Sequence, residues 1–342
     1  MQKTRKTILV TGGAGFIGSN FIKLYLDQRE DIHIINLDKL TYAGNPENMS
    51  RFEKNENYTF VQGDICDASL VNRIFEEHNI GSVIHFAAES HVDNSIESPA
   101  DFIKTNIEGT FTLLQVAKQH WLEEGNSDIE NSISRFHHIS TDEVYGSLGD
   151  EGFFDESSPY APNSPYSASK AASDFLVRSY HHTYGMNVVI SNCSNNYGPN
   201  QHKEKLIPTI IGKALAKESI PIYGDGLNVR DWLYVKDHCE AIQLVFENGI
   251  SGETYAIGGN CEETNLNIAR KICALLDAKA PMKNEHYSDL ITFVKDRPGH
   301  DFRYAINSAK MYKSFDWRPS EDLHSGLEKT VDHYLEKYTA KT

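Results

Sequence analysis

Short apolar runs alternate with stretches of helical apolar spacing through the first half of the chain. Thr7 to Val10, His33 to Leu37, Tyr58 to Gln62, Val83 to Phe86, Phe136 to Ile139 and Val188 to Ser191 read as strands. Between them, Phe16 to Leu26, Ser69 to His78, Phe102 to His120 and Pro165 to Tyr184 carry apolar residues at the spacing that gives a helix a buried face. Strand then helix, repeated, predicts a parallel sheet with helices on both faces, since largely apolar strand cores need covering on both sides. The expected fold class is α/β, doubly wound.

The second half is less regular. Pro and Gly cluster between Asn195 and Gly226, and helical patterns return at Val235 to Asn248, Asn265 to Leu276 and Gly326 to Tyr338. Val229 to Ile257 again reads strand, helix, strand, so the chain is expected to cross between two units more than once. The division that follows is 1–198 with 229–258 as a dinucleotide-binding unit, and 199–228 with 259–342 as a smaller α/β substrate unit. The polar, acidic stretch Glu123 to Ser134 reads as a solvated surface loop.

Composition narrows the class. The 342 residues carry a net charge of -15, which repels a phosphate backbone and argues against nucleic acid as a partner. No run of about 20 apolar residues exists to span a membrane. Only Ile8, Leu9 and Val10 follow the basic start before glycines begin, too few for a signal peptide. Cys66, Cys193, Cys239, Cys261 and Cys273 show no tight ligand spacing, which fits a reducing compartment, and the cytoplasm is expected. His137, His138, His181 and His182 lack partners at a recognised metal-ligand spacing, so no metal is expected.

Chemistry begins at the first turn. Gly12-Gly13-Ala14-Gly15-Phe16-Ile17-Gly18 follows the first strand and opens the first helix. Glycines there let backbone approach a diphosphate, and the helix N-terminus offers unpaired N–H groups to it. Twenty residues past Gly18, Asp38 ends the second strand, placed to accept from ribose hydroxyls and to repel a 2′-phosphate. NAD is expected over NADP, although Lys39 is adjacent. Asp64 and Ile65 end the third strand near the adenine edge, and the small Ala87 and Ala88 before Glu89 leave room for a flat cofactor. The turn marks the first unit as a Rossmann-type domain.

A second constellation supplies acid–base groups. Tyr166 and Lys170 share one helix face, behind a Ser164-Pro165 start. A nearby ammonium favours phenolate and should lower the Tyr166 pKa, so that the ring oxygen can take a proton from an alcohol while hydride leaves. Thr141-Asp142-Glu143 follows the Phe136 to Ile139 strand, at the sheet end where ligands bind. Thr141 can hold the reacting hydroxyl, and two carboxyls in unlike environments can divide into an acid and a base.

These residues resemble the extended short-chain dehydrogenase/reductases that act on nucleotide sugars, and within them the dTDP-glucose 4,6-dehydratase family. The likeness runs almost end to end. It takes in Thr11 to Gly18, Asp38 to Asn45, Ala87 to Asp93, Ser140 to Gly146, Tyr166 to Lys170 and Asn195 to Pro199. It continues through Glu204 to Pro208, Pro221 to Gly226, Arg230 to Trp232 and Asp296 to His300. Asn200 to Lys203 and Asn94 depart from the family pattern. The Thr-Asp-Glu triplet discriminates, because related 4-epimerases usually lack the pair, and a non-catalytic NAD-binding scaffold would not need the intact set.

The resemblance implies NAD as cofactor and dTDP-glucose as substrate, with L-rhamnose the common destination of the product. It implies that Tyr166 is the base at the C4 hydroxyl, assisted by Lys170 and Thr141. Glu143 then takes the C5 proton, and Asp142 protonates the departing C6 hydroxyl. It adds Leu40, Thr41, Thr105 and Asn196 to the cofactor contacts. Substrate contacts are implied at His91, Asn195, Lys205, Leu206, Pro221, Ile222, Tyr223, Arg230, Asn265, Asp296, Arg297 and His300. Among these, Arg230 and Arg297 suit the diphosphate, because guanidinium forks match phosphate oxygens. A homodimer is expected, because Phe102 to His120 and Pro165 to Tyr184 are apolar on more than one face.

Overall fold

The computed structural model describes residues 6–123 and 134–339, so most of the expected Glu123 to Ser134 loop lies outside the described residues. The strands are β1 (Lys6–Thr11), β2 (Ile32–Asp38), β3 (Tyr58–Gln62), β4 (Ser82–His85), β5 (Arg135–Thr141), β6 (Val188–Cys193), β7 (Asn195–Tyr197), β8 (Ile220–Tyr223), β9 (Val229–Tyr234), β10 (Thr254–Ile257), β11 (Glu262–Thr264) and β12 (Ile291–Val294). Seven of them form one sheet in the order β10-β6-β5-β4-β1-β2-β3, and every pairing in it is parallel. The order reverses between β1 and β4, which opens a crevice above Thr11 and His85 at the strand ends.

Alternation along the strands explains the layers. Leu9 of β1 joins Leu37, Val83, Phe136 and Val188 on one face, covered by Val71, Leu113 and Val177 from three helices. Its neighbours Ile8 and Val10 point the other way, against Phe21, Ile22 and Tyr25 of helix Phe16–Gln28 and Ile242 of helix Val235–Asn248. β5 is buried along its whole length, as a central strand of a doubly covered sheet must be.

Val229 to Ile257 is strand, helix, strand, as its pattern predicts, but the two strands part company. β10 joins the large sheet, while β9 pairs with β7 and β11 in a three-stranded one. β9 sends Trp232 and Tyr234 into the core of the second half and Leu233 into a cluster with Tyr255 and Trp317. The second half packs helices Leu206–Leu215, Asn265–Lys279 and Leu323–Thr339 around the short β8–β12 pair.

The long helix expected over Phe102 to His120 is not uniform. Ile103–Gly109 is wound as a wide π turn between helices Pro99–Phe102 and Thr110–Lys118. Asn106 supplies the reason. Its side chain accepts from Glu89 N–H (2.9 Å) and donates to Glu89 C=O (3.0 Å) and to Ser169 Oγ (2.8 Å). Three polar contacts to the segment after β4 and to the helix Pro165–Tyr184 offset a looser turn, and such turns recur at functional sites.

Leu9 is fully buried at the centre of the large sheet. Leu9→Ala should cost about 2–5 kcal/mol of stability, read as a lower midpoint in urea denaturation at an unchanged slope.

Candidate active site

The glycine turn follows from backbone geometry. Gly12 has φ +74°, and a Cβ there would stand 2.6 Å from the Ala87 nitrogen. A Cβ on Gly18 would stand 2.4 Å from the Gly12 oxygen. The helix Phe16–Gln28 has no side-chain cap at Gly15 and no acidic residue in its first turn. Its N-terminus therefore suits a diphosphate.

Asp38 holds the wall of this crevice. Its two oxygens accept from Ala14 N–H (2.9 Å) and Leu40 N–H (2.8 Å), which fixes Leu40 at φ +56°. Burial raises its pKa and those two N–H groups oppose the rise. Each oxygen retains a lone pair, so the ribose role read from its position fits the geometry. Lys39 is turned to Asp64 (2.8 Å) and gives no free cation for a 2′-phosphate.

One cavity joins this turn to the second constellation. It is lined by every cofactor residue expected from the sequence except Leu40, whose N–H serves Asp38. Thr141, Asp142, Glu143, Tyr166 and Lys170 line it too. The expected substrate residues divide. Asn195 and Lys205 line the cavity, and Asn195 Oδ1 has no hydrogen-bond partner. Tyr223, Asp296, Arg297 and His300 gather on a neighbouring wall, where Tyr223 and Arg297 both reach Asp93 (3.3 and 3.2 Å) and His300 meets Asp296 at 2.7 Å. His91 stands 3.9 Å from Glu204. Leu206 and Asn265 open helices, and Pro221 lies in β8. Ile222 departs from its expected substrate contact, because its side chain is sealed in the core.

The catalytic groups sit on rigid starts. Thr141 ends β5, and its hydroxyl accepts from Glu143 N–H (3.3 Å) and donates to Asp142 Oδ1 (3.3 Å), capping the short turn Asp142–Tyr145. Tyr166 and Lys170 ride the helix Pro165–Tyr184, fixed by a reciprocal Ser164–Ser167 capping box with proline at its first position.

The environments of Asp142 and Glu143 differ. Asp142 is pushed far above the usual carboxylate range, by burial first and then by Glu143 and Asp231, and its Oδ2 has no partner. Glu143 is also raised by burial, but Arg297, Lys205 and Arg230 pull it back. Burial thus lifts both carboxyls, and the three cations set Glu143 apart as the one that gives up its proton more readily. Arg230 differs from its expected free diphosphate fork. Its guanidinium donates to the carbonyls of Val229, Phe302 and Asp301 and stacks 4.4 Å over Tyr304. Most of its donors are engaged, and what it offers the cleft is charge.

Tyr166 departs from expectation as well. Its pKa is raised well above the ordinary phenol, by burial first and then by Glu143, with Thr141 opposing. The Lys170 ammonium expected to lower it donates instead to the Ile139 carbonyl (2.8 Å) and lies 3.4 Å from His138 Nε2. His137 and His138 are wholly buried, and among the described residues no cluster of His, Cys, Asp or Glu could hold a metal ion. Ser140, Asp174 and Asn192, which the sequence reading missed, form the buried layer behind these groups. The one signal for Asp174 is its spacing, one helical turn past Lys170.

A dinucleotide crevice that shares its cavity with a Tyr–Lys pair and a carboxyl pair defines a nucleotide-sugar enzyme of the short-chain dehydrogenase/reductase class. The family model described as GDP-mannose 4,6 dehydratase matches residues 9–330. A dTDP-glucose 4,6-dehydratase of Xanthomonas campestris is 52% identical over 97% of this chain and 94% of its own length. The dTDP-glucose 4,6-dehydratase of Bacillus anthracis, solved with NAD, superposes with TM-score 0.85 at 44% identity, covering 98% of both chains. That of Streptomyces venezuelae, with NAD and TDP bound, gives 0.87 at 44% identity over 98% of both chains. The chain belongs to the dTDP-glucose 4,6-dehydratase family.

The raised Asp142 pKa makes a stability prediction. A carboxyl whose folded pKa exceeds its unfolded value stabilises fully below the unfolded pKa and loses that contribution as pH rises to the folded one. Asp142→Asn keeps the neutral shape and removes the titration. Its melting temperature relative to the parent should therefore climb as pH rises above about 4. A variant-minus-parent difference that falls as pH rises would contradict a raised Asp142 pKa.

Proposed function

We propose that this chain is an NAD-dependent hydro-lyase converting dTDP-glucose to dTDP-4-keto-6-deoxyglucose and water. The observation that carries the reading is the unequal carboxyl pair, Asp142 enclosed with its Oδ2 unpartnered and Glu143 facing Arg297, Lys205 and Arg230, beside Tyr166 in the cavity that reaches the glycine turn. Gly12 to Gly18, Asp38, Ala87 and Ala88 would hold the dinucleotide, which takes a hydride from C4 and returns it to C6. Thr141 holds the C4 hydroxyl and Tyr166 receives its proton. Oxidation at C4 turns C5 into an α carbon with an acidic proton. Glu143, ionised, removes that proton. Asp142, neutral, gives its own to the C6 hydroxyl, which leaves as water. A 4-epimerase needs neither proton transfer, and the pair argues against that reading. The product is the kind of 4-keto-6-deoxy sugar from which deoxysugars such as L-rhamnose are made.

Three cations, Arg230, Arg297 and Lys205, lie near enough to Glu143 to favour its charged form, and they suit the diphosphate of the same substrate. The homodimer fits the exposed apolar side chains Ile103, Phe111 and Phe175 on the two helical segments expected to pair. A sedimentation mass of one chain at micromolar concentration would remove that part. The five free cysteines fit a cytoplasmic setting.

The test separates the two halves of the reaction. With dTDP-glucose in a single turnover, Glu143→Gln should still oxidise C4, so NADH absorbance builds up while product formation falls about 10²- to 10⁴-fold. Tyr166→Phe should give neither NADH nor product. Turnover of Glu143→Gln at the parent rate would remove Glu143 from the C5 step.

A further inference from the structure

The proposed mechanism leaves one buried carboxyl unused, raised by its burial and pulled back by Lys170 and by three hydrogen-bond donors. Asp174 lies one turn beyond Lys170 on the catalytic helix and is fully enclosed. Its Oδ2 accepts from three donors on three separate segments, Ser140 Oγ (2.9 Å), Tyr160 OH (2.8 Å) and Asn192 Nδ2 (3.1 Å). The same Asn192 Nδ2 donates to the Thr141 carbonyl at 3.1 Å. Asp174 Oδ1 has no hydrogen-bond partner but stands 3.3 Å from His138 Nε2, which in turn is 3.4 Å from Lys170 Nζ. The helix, the end of β5 and the end of β6 thus meet at one carboxylate.

Electrostatics gives this junction a purpose. A buried ammonium with no anion nearby would shed its proton. Lys170 is held down to about 8 by burial, and the charge of Asp174 is the largest influence opposing that loss. His138 cannot substitute, because burial keeps it neutral. The other titratable groups packed here are Cys193 on β6, whose thiol burial pushes up, and His85 on β4, which burial keeps neutral. Tyr145 and Tyr160 are both pushed above the ordinary phenol, so neither brings an anion.

We propose that Asp174 is a positioning residue for oxidation at C4: it is the buried counter-ion of Lys170 and, through Asn192 and Ser140, the anchor that sets Thr141 against Tyr166. It touches neither substrate nor cofactor and acts through Lys170 and the end of β5. The inference rests on the roles proposed above for Tyr166 and Lys170.

Asp174→Asn keeps the size and an acceptor for the three donors but removes the charge. In the holoenzyme its rate of C4 oxidation should fall about tenfold or more. The alkaline limb of the rate–pH profile should move about one unit to lower pH, because Lys170 sheds its proton more readily. The KM for dTDP-glucose should stay within about twofold, since no substrate contact is lost. Nitrogen-15 lysine NMR of the protein gives a readout independent of turnover, and the half-titration of Lys170 should move in the same direction. Tyr160→Phe is the second variant should Asp174→Asn fail to fold. It removes one donor, raises the Asp174 pKa and should shift the acid limb to higher pH. Unmoved limbs and an unmoved Lys170 titration, with activity lost only in proportion to folded protein, would reduce Asp174 to a structural role. Tyr166→Phe run alongside keeps the two readings apart, because oxidation at the parent rate in that variant would refute the Tyr166 assignment without bearing on the Lys170 titration.

Discussion

Desolvation at the end of β5 governs this protein. A carboxyl, a phenol and an ammonium all lie out of water around Thr141, and each is pushed toward its neutral form. The protein does not resist this uniformly. It leaves Asp142 Oδ2 without a partner and gives Glu143 the field of three cations. Burial alone would make two weak acids. Burial plus unequal charge makes one proton donor and one acceptor, the least that an elimination of water requires. The sheet makes the burial available, because a central parallel strand has no wet face.

The same economy appears in how polar groups are placed. Thr11, His85 and Thr110 form a buried chain at the topological switch, with contacts of 2.7 and 3.0 Å. Thr11 also accepts from Ala87 N–H at 3.3 Å, so the crossing point of the sheet is tied to the small residues that border the crevice. A second layer lies behind Tyr166 and Lys170. Neither layer reaches the ligand, yet both decide where the groups that do reach it stand.

Much of this was legible in the sequence because it is periodic or local. The strands and the helices Pro165–Tyr184 and Val235–Asn248 follow from apolar spacing and capping residues. The glycine turn, Asp38 and the Tyr–Lys pair follow from short motifs in the right context. What escaped reading depends on distant partners. The π turn at Ile103–Gly109 comes from Asn106 meeting Glu89 and Ser169, and nothing local announces it. The helix Leu206–Leu215 sits in the stretch where prolines and glycines cluster, and its own proline falls in the first turn, where a helix tolerates it. The direction of the Lys170 ammonium depends on the Ile139 carbonyl, a neighbour brought close only by the fold. Arg230 looked like a free fork because its carbonyl partners include Asp301 and Phe302, some seventy residues away.

The wide turn at Ile103–Gly109 has a bearing on how the gene can change in length. A π turn holds more residues per revolution than an α turn, so it is a place where the helix has taken up extra chain. Removing one residue there would restore regular winding and leave the faces downstream in register. Thr110 would still meet His85, and Phe111 would still face outward. What such a deletion would lose is the bulge that carries Asn106 to Glu89 and Ser169. The extra residue is therefore held by those three contacts and not by the packing of the helix beyond it.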